Sequence, residues 1–183
     1  GGQKSKFQNN IKAIQTLKQI ESENRSATPK EQEILAKYVG WGSIAQAFDI
    51  KNEKWTTEYN QLKKILTLEE YESARSTVLN AHYTSPTVIK AIYEAVGAMD
   101  FIPGNILEPS CGIGNFFGLV TEKYQQSNLY GVEIDSLTGR IAGQLYQKAD
   151  ITIGGFEKTK YPDDFFDLAI GNVPFGEYKV HDK

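Results

Sequence analysis

The chain has 183 residues, about 40% of them hydrophobic, which is enough to bury the core of an ordinary domain with an additional lobe. Its net charge of −3 is not the basic excess typical of nucleic-acid-binding domains, which counts against DNA binding by this stretch alone. Its apolar runs are far shorter than the roughly 18 residues of a membrane helix, so we expect a cytoplasmic protein without a membrane partner. The single cysteine, Cys111, excludes an internal disulfide and a multi-cysteine zinc site, and we expect no metal.

The first segment has the spacing of an amphipathic helix. Apolar residues recur every three or four positions, at Phe7, Ile11, Ile14, Leu17 and Ile20. Thr28, followed by a proline, has the pattern of an N-cap, so we predict a second helix that continues to Gly40. Two further helices are expected over 57–66 and 68–80. Residues 1–80 are therefore predicted to form an all-helical lobe.

Three aromatic side chains follow the second predicted helix, at Tyr38, Trp41 and Phe48. Two interpretations are open, a docking face for a partner and a place in the core of the lobe. We favour the core, because aromatic residues beside glycines at a helix junction are usually buried.

From residue 81 onward, short apolar strands alternate with helices. A helix is expected to start at Ser85 and to bury one stripe, formed by Val88, Ile89, Ile92 and Val96. Strands are then expected in "NILEPS", "NLYGVEI", "ADITIGG" and "FDLAIGN", with helices in "NFFGLVTEKY" and "SLTGRIAGQLYQ". This alternation predicts that residues 81–183 form an α/β, Rossmann-like parallel sheet of about four strands, covered on both faces. Ligands bind such sheets at the carboxyl ends of the strands.

A glycine turn follows the first predicted strand. Gly112, Gly114 and Gly118 form a G-x-G-x-x-x-G pattern, one residue longer than the dinucleotide fingerprint. Glu108, at the end of that strand, would repel a pyrophosphate but attract a ligand that carries an ammonium and a sulfonium. This charge favours S-adenosylmethionine over a nicotinamide dinucleotide, although an oxidoreductase and a purely connecting glycine turn stay open as alternatives.

The ends of the next two strands carry residues suited to an adenosine. Glu133 is placed to accept both ribose hydroxyls, and Ile134 to pack on the adenine ring. Phe156, after the third strand, offers a flat apolar surface for the other side of that ring. For Phe156, ordinary core packing is an equally good interpretation.

The fourth strand leads into "GNVPF", which suits methyl transfer to a planar amine. The amide oxygen of Asn172 and the carbonyl of Val173 can accept the two N–H bonds of an exocyclic amine and make its nitrogen more nucleophilic. Pro174 fixes the backbone, and Phe175 offers a face on which an extruded base can stack. The alternative is an ordinary Asn-containing turn after a strand.

From His82 to Phe175 the sequence resembles the amino-group class of DNA methyltransferases, in particular the adenine-N6 enzymes. "HYTSP" is similar to the segment that helps to hold the methionine moiety, "EPSCGIGNFF" to the cofactor loop, "GVEID" to the ribose-binding motif and "GNVPF" to the catalytic Asn-Pro-Pro-Phe/Tyr motif, in the gamma order. The resemblance implies cofactor contacts from Tyr83, Thr84 and Pro109. It also implies a seven-stranded catalytic domain that flips its target base and uses S-adenosyl-L-methionine.

Two positions depart from the family pattern. Val173 replaces the first proline of the catalytic motif, and Gly155 stands where many relatives carry an aspartate that binds the adenine amine. The first departure bears on the rate and the second on cofactor affinity. The stretch "YVGWGSI" together with "GNVPFG" also resembles the methyltransferase part of very large phage and conjugative-element proteins that carry helicase-like domains.

Because only four strands are expected, we interpret the chain as an N-terminal fragment whose DNA contacts lie in parts beyond Lys183. Its fourth strand would then be an exposed sheet edge. Two other functions stay open: methyl transfer to RNA or to a protein amide, and a non-catalytic methyltransferase-fold module within a larger polypeptide.

Overall fold

The computed structural model describes residues 2–79 and 84–173. The α-helices are α1 (Gln3–Ser22), α2 (Pro29–Leu35), α3 (Thr56–Ile65), α4 (Leu68–Ser76), α5 (Pro86–Ala98), α6 (Asn115–Gly118) and α7 (Ser136–Leu145). Short 3₁₀ turns span Ala45–Phe48, Glu53–Trp55, Thr77–Leu79, Glu122–Tyr124 and Phe156–Lys158. The strands are β1 (Asn105–Glu108), β2 (Asn128–Glu133), β3 (Asp150–Ile153) and β4 (Leu168–Ala169). No helix in this described part combines the length and apolar character needed to cross a bilayer.

Helices in both parts of the chain start where the sequence predicts. Thr28 caps α2 through a capping box, in which the Glu31 carboxylate also accepts the Thr28 backbone N–H at 2.8 Å. Ser85 likewise caps α5 by accepting the N–H of Val88. The five apolar residues predicted to line α1 are all buried. These local signals are confirmed because a cap satisfies backbone N–H groups that no earlier turn can reach.

Helix α2 is shorter than predicted, since it ends at Leu35 and not near Gly40. The buried side chain of Asn10 on α1 explains the difference. Its side-chain amide donates to the Gly40 carbonyl at 2.7 Å and accepts the Val39 N–H at 2.9 Å. The backbone of residues 39–40 therefore bonds to this side chain and not to backbone groups one helical turn away. Gly40 adopts a positive φ of 62°, which turns the chain away from the helix axis. Helix α4 also ends early, at Ser76, and continues as a 3₁₀ turn.

The aromatic residues after α2 are core residues. Trp41 and Tyr38 are almost fully buried, and Phe48 is 8% exposed. The Trp41 ring meets Phe48 edge-on at 5.2 Å between centroids, and Phe48 packs on Tyr71 of α4 at 5.3 Å. The core interpretation is therefore confirmed, and the docking face is not.

The four strands form one parallel sheet in the order β3-β2-β1-β4. The chain thus moves outward from β1 to β3 and then crosses back to the other side of β1, which is the topological switch of a Rossmann-like sheet. The predicted fold class is confirmed. All four carboxyl ends lie along one edge of the sheet, and the crevice beside β1 is where such sheets bind ligands.

The α-helices of the sheet region lie on one face. Residues paired in register point to the same side, so Ile106, which packs with α5, and Glu133, which packs with α7, share a face. The other face carries Tyr130, whose ring contacts a cluster of aromatic side chains between β3 and β4: Tyr161, Phe165 and Phe166. The described part of the sheet is therefore covered on both faces, as predicted, by helices on one face and by the aromatic side chains of the β3–β4 connection on the other.

Two predicted helices of the sheet region differ in detail. Val88, predicted to be buried, is 48% exposed. The buried residues of α5 are Ile89, Tyr93 and Val96, which have the spacing of one helical face, so Tyr93 belongs to the stripe and Val88 does not. The helix expected over 115–124 is reduced to the single turn α6 and a 3₁₀ turn. Glycine and β-branched residues in this stretch are weak helix formers, which favours the early end.

Helix α7 joins the sheet to the helical lobe. Leu137 and Ile141 on α7 are fully buried in the same apolar cluster as the core of the lobe. Helix α7 contacts α1, α2 and α4 on one side and β2 and β3 on the other. The division into 1–80 and 81–183 stays a prediction, and the two parts share this core.

Candidate functional site

The glycine turn after β1 is built from two residues with positive φ, Gly112 at 55° and Gly114 at 85°. The Gly114 N–H donates to the Cys111 carbonyl at 2.8 Å, and the Cys111 N–H donates to Val132 of β2 at 2.9 Å. A Cβ on Gly114 would stand 2.5 Å from the ring of Tyr146. The turn therefore depends on glycine both for its backbone conformation and for the close approach of this ring.

Glu108, at the end of β1, is a deeply buried acidic group, with 3% of its surface exposed. Its Oε2 has no hydrogen-bond partner among the described residues. Burial, with a further contribution from the charge of Glu133, raises the pKa of Glu108 to about 9. With this pKa the Glu108 carboxyl is protonated at neutral pH.

Glu133 lies at the end of β2 and is held by two backbone amides. Its Oε2 accepts the Gly112 N–H at 2.8 Å, and its Oε1 accepts the Asp135 N–H at 2.8 Å. Burial raises the pKa of Glu133, and these hydrogen bonds partly oppose the rise. The glycine turn and the end of β2 are therefore directly connected.

Asp135, which the sequence analysis did not single out, is the buried N-cap of α7. One carboxylate oxygen accepts from the backbone and hydroxyl of Thr138, and the other accepts the Ser73 hydroxyl of the lobe at 2.8 Å. An aspartate three residues before a threonine, directly ahead of a helix, is an N-cap signal that could have found it. The contact with Ser73 has no local sequence signal.

Apolar side chains are exposed at the same edge of the sheet. Ile134 is 68% exposed after β2, and Phe156 is 47% exposed after β3. The Gly154 N–H donates to the Glu133 carbonyl at 2.8 Å, which keeps these two strand ends together. Phe156 is half exposed, so the alternative of ordinary core packing does not describe it.

The segment after β4 comes close to the end of β1. A Cβ on Gly171 would lie 3.5 Å from Cγ of Glu108 and 3.6 Å from Cδ of Pro109. Asn172 and Val173 follow and are exposed to solvent. Pro174, Phe175 and Tyr83 lie outside the described residues, so their predicted roles are untested.

Two further residues named in the sequence analysis, Thr84 and Cys111, lie at least partly buried. Thr84 is half-buried and directly precedes the N-cap of α5. Cys111 is buried, and burial raises the pKa of its thiol, which favours the protonated form. Within 2–79 and 84–173, no three His, Cys, Asp or Glu side chains are grouped to hold a metal ion.

Together these features define a Rossmann-like α/β protein with an acidic site at its strand ends. Over 93 residues, 51% of this chain, it is 38% identical to the type II methyltransferase M.CvrRI of Paramecium bursaria Chlorella virus XZ-6E, of which the match covers 24%. Over 169 residues, 91% of this chain, it is 27% identical to defense against restriction protein B of Escherichia phage P1, of which the match covers 6%. Over 124 residues, 67% of this chain, it is 26% identical to modification methylase CviBIII of Paramecium bursaria Chlorella virus NC1A, of which the match covers 32%.

The resemblance to methyltransferases and to a large phage protein is thereby confirmed, and the chain spans a third or less of the length of these relatives. No protein-family model matches the chain. Among solved structures, the plantazolicin methyltransferase BpumL, in complex with a monoazolic desmethylPZN analog and SAH, aligns with 76% of this chain and 47% of its own, at 14% identity. The TM-score of this alignment is 0.39.

Proposed function

We propose that this chain provides the cofactor pocket and part of the catalytic loop of an S-adenosylmethionine-dependent methyltransferase that modifies the N6 amino group of adenine in DNA. The observation that carries the proposal is the closeness of Gly171 to Glu108 and Pro109, because it brings the backbone that leads into Asn172 near the end of β1. The similarity to proteins named methyltransferase and methylase supports methyl transfer as the reaction class.

The residues around β1 fit a cationic cofactor. Among the described residues, one buried carboxyl oxygen of Glu108 has no hydrogen-bond partner, and an ammonium or sulfonium close by would favour the ionised form of this acid. Gly112 lets the backbone of the turn approach a ligand without a side chain in between. When bound, S-adenosylmethionine supplies a methyl group activated by its positive sulfur.

The ends of β2 and β3 fit the adenosine half of the same molecule. Glu133 uses one lone pair of each oxygen for a backbone amide, which leaves acceptor capacity for two ribose hydroxyls. Ile134 and Phe156 expose apolar surface on neighbouring strand ends, where an adenine ring needs cover on its two faces.

Asn172 and Val173 would act on the amine that receives the methyl group. An adenine amine is a weak nucleophile because its lone pair is delocalised into the ring. Two acceptors, the Asn172 amide oxygen and the Val173 carbonyl, would hold both N–H bonds and concentrate charge on the nitrogen as it reacts. In this proposal the target base is extruded from the duplex and stacks on Phe175. Most of the rate then comes from positioning.

We assign recognition of the DNA sequence to other parts of a longer protein. The net charge of −3 gives this chain little attraction for phosphates, and each of its curated relatives is at least three times as long as the part it matches. A helicase-like domain in the same polypeptide is a further proposal, which follows from the resemblance alone.

Calorimetric titration of S-adenosylmethionine tests the cofactor part of the proposal. We expect binding to the chain and its loss in Glu133→Ala, with no binding of a nicotinamide dinucleotide. Tight dinucleotide binding without S-adenosylmethionine binding would overturn the cofactor assignment in favour of an oxidoreductase.

Methylation by the full-length protein tests the substrate. We expect labelled DNA that contains N6-methyladenine and loses the label in Asn172→Ala. Labelled DNA without N6-methyladenine would disprove the adenine assignment, and label in RNA or protein alone would replace DNA as the substrate.

A further inference from the structure

A continuous line of hydrogen bonds runs from the helical lobe to the glycine turn. The Ser73 hydroxyl of α4 donates to Oδ1 of Asp135, whose own N–H donates to Oε1 of Glu133. Oε2 of Glu133 then accepts the N–H of Gly112. Each of these three hydrogen bonds is 2.8 Å long. A side chain of the lobe is therefore two residues removed from the backbone of the glycine turn.

An apolar contact joins the same two regions independently. Ile113 lies between the two positive-φ glycines of the turn and is 8% exposed. It belongs to the apolar cluster of the lobe, together with Leu137 and Ile141 of α7, and not to the cluster beneath α5. The glycine turn is thus packed against the lobe through Ile113. The residue before it, Gly112, donates its hydrogen bond to Glu133.

Ion pairs fix the helix that carries Asp135. Arg140 on α7 forms ion pairs with Glu21 of α1 at 2.6 Å and with Glu70 of α4 at 2.8 Å. Glu70 is also paired with Lys18 of α1 at 2.6 Å. Helices α1, α4 and α7 therefore share one network of ion pairs. Because several of its side chains are half-buried, this network fixes the position of α4 relative to the N-terminus of α7.

We propose that the helical lobe is a positioning element of the cofactor site, and that Ser73 sets the place of Glu133 through Asp135. The identity of the ligand rests on the proposed function. The positioning of Glu133 by Ser73 rests on the hydrogen bonds alone. The Asp135 carboxylate is 2% exposed, so the loss of the Ser73 hydroxyl leaves one of its oxygens without a partner. The acid then relaxes, and the amide that holds Glu133 moves with it.

Hydrogen exchange in the Ser73→Ala variant tests the positioning without any ligand. We expect the Gly112 and Asp135 amides, which both donate to Glu133, to exchange about tenfold faster. The Asn128 amide, which donates to Gly104 at the opposite edge of the sheet, reports global opening and should not change.

Ser76→Ala is the matched control, because it removes a hydroxyl from the same helix whose hydrogen bond stays within the helix, to the Ser73 carbonyl at 2.7 Å. Ser73→Thr keeps the hydroxyl and should restore slow exchange. Equal acceleration of all three amides, or the same effect in Ser76→Ala, would show that Ser73 serves stability alone and would overturn the proposal.

Titration with S-adenosylmethionine adds the functional readout. We expect Ser73→Ala to weaken binding about tenfold, and Ser76→Ala and Ser73→Thr to bind as the unaltered chain does. Unchanged affinity in Ser73→Ala would overturn the positioning role. If the unaltered chain binds no S-adenosylmethionine, the proposed function fails, while the exchange rates still decide whether Ser73 positions Glu133.

Discussion

The Gly112 amide donates to Oε2 of Glu133 at 2.8 Å, across the carboxyl ends of two neighbouring strands. The glycine turn and the acid expected to hold a ribose are therefore one hydrogen-bonded unit and not two separate sites. Because the second oxygen of Glu133 is held by the Asp135 amide, the carboxylate has little rotational freedom. A ligand that uses this acid meets a group whose orientation is already fixed.

Replacing Glu133 tests whether this fixed acid binds the ribose. In Glu133→Gln the amide keeps one acceptor oxygen but presents N–H bonds toward Gly112 or Asp135, so one of those amides loses its acceptor. We expect S-adenosylmethionine affinity to fall at least about tenfold in Glu133→Gln, and further in Glu133→Ala. Isothermal calorimetry gives the affinities, and unchanged binding in both variants would contradict the role of Glu133.

The stability of the protein should fall as the pH rises, because of Glu108. Its pKa is about 9 in the folded chain and 4.5 as an ordinary glutamic acid, so between these values the folded state keeps a proton that the unfolded state has lost. The folded state binds more protons, and each pH unit in this window costs up to about 1.4 kcal/mol. Below pH 4.5 both states are protonated and the penalty disappears.

Glu108→Gln removes this penalty without changing the shape of the side chain. We expect the variant to match the unaltered chain in free energy of unfolding near pH 5 and to exceed it increasingly toward pH 8. At pH 8 the pKa shift corresponds to a difference of a few kcal/mol. Urea denaturation at several pH values measures the difference. Glu133 contributes a pH dependence of the same sign, and it remains in both proteins. A difference that does not grow with pH would refute the buried, neutral state of Glu108.

Gly114→Ala should destabilise the fold strongly. An alanine there meets a positive φ of 85° and places its Cβ 2.5 Å from the Tyr146 ring, so both backbone strain and overlap oppose it. We expect a loss of roughly 2 to 4 kcal/mol in the free energy of unfolding, measured by chemical denaturation.

Gly143→Ala is the matched control for that substitution. Gly143 lies within α7, and apart from its chain neighbours and the backbone of its own helix, no described atom stands within 4 Å of a Cβ built on it. Its replacement should stabilise the chain by roughly 0.5 to 1 kcal/mol, because alanine favours the helix. Equal effects at both positions would show that the turn does not depend on its glycine.

Asn172→Ala separates catalysis from folding. Asn172 is exposed, so we expect the thermal midpoint to be unchanged within about 1 °C. Methyl transfer by the full-length protein should fall at least about 100-fold, because the amine loses one of its two acceptors. Single-turnover kinetics measure the transfer step, and a fall in cofactor affinity instead of rate would place Asn172 in the binding site and not at the reacting amine.

The features that sequence predicted correctly depend on neighbouring residues. Thr28 and Ser85 start helices because a cap acts within one turn, and the alternation of strand and helix after residue 84 is sufficient to predict a parallel sheet. Glu108 and Glu133 lie at the ends of β1 and β2, as predicted, and their contacts with a cofactor stay a prediction.

The features that sequence missed depend on contacts between distant residues. Helix α2 ends where the Asn10 side chain, about 30 positions earlier, takes over its backbone partners. Ser73 and Asp135 are 62 positions apart, and the Tyr146 ring that fills the space beside Gly114 belongs to another element. Neither periodicity nor composition encodes such pairs, since each depends on how the finished layers meet.

The shared apolar core has a consequence for how the chain can be divided. Leu137 and Ile141 of α7 are fully buried in the apolar cluster of the lobe. Their burial therefore depends on the lobe residues. A protein expressed from residue 81 onward would expose these side chains to water and should aggregate, whereas residues 2–173 should melt in one cooperative transition. The junction that composition suggests is therefore a poor site for truncation or for inserting a protease cleavage sequence intended to release two autonomous folding units.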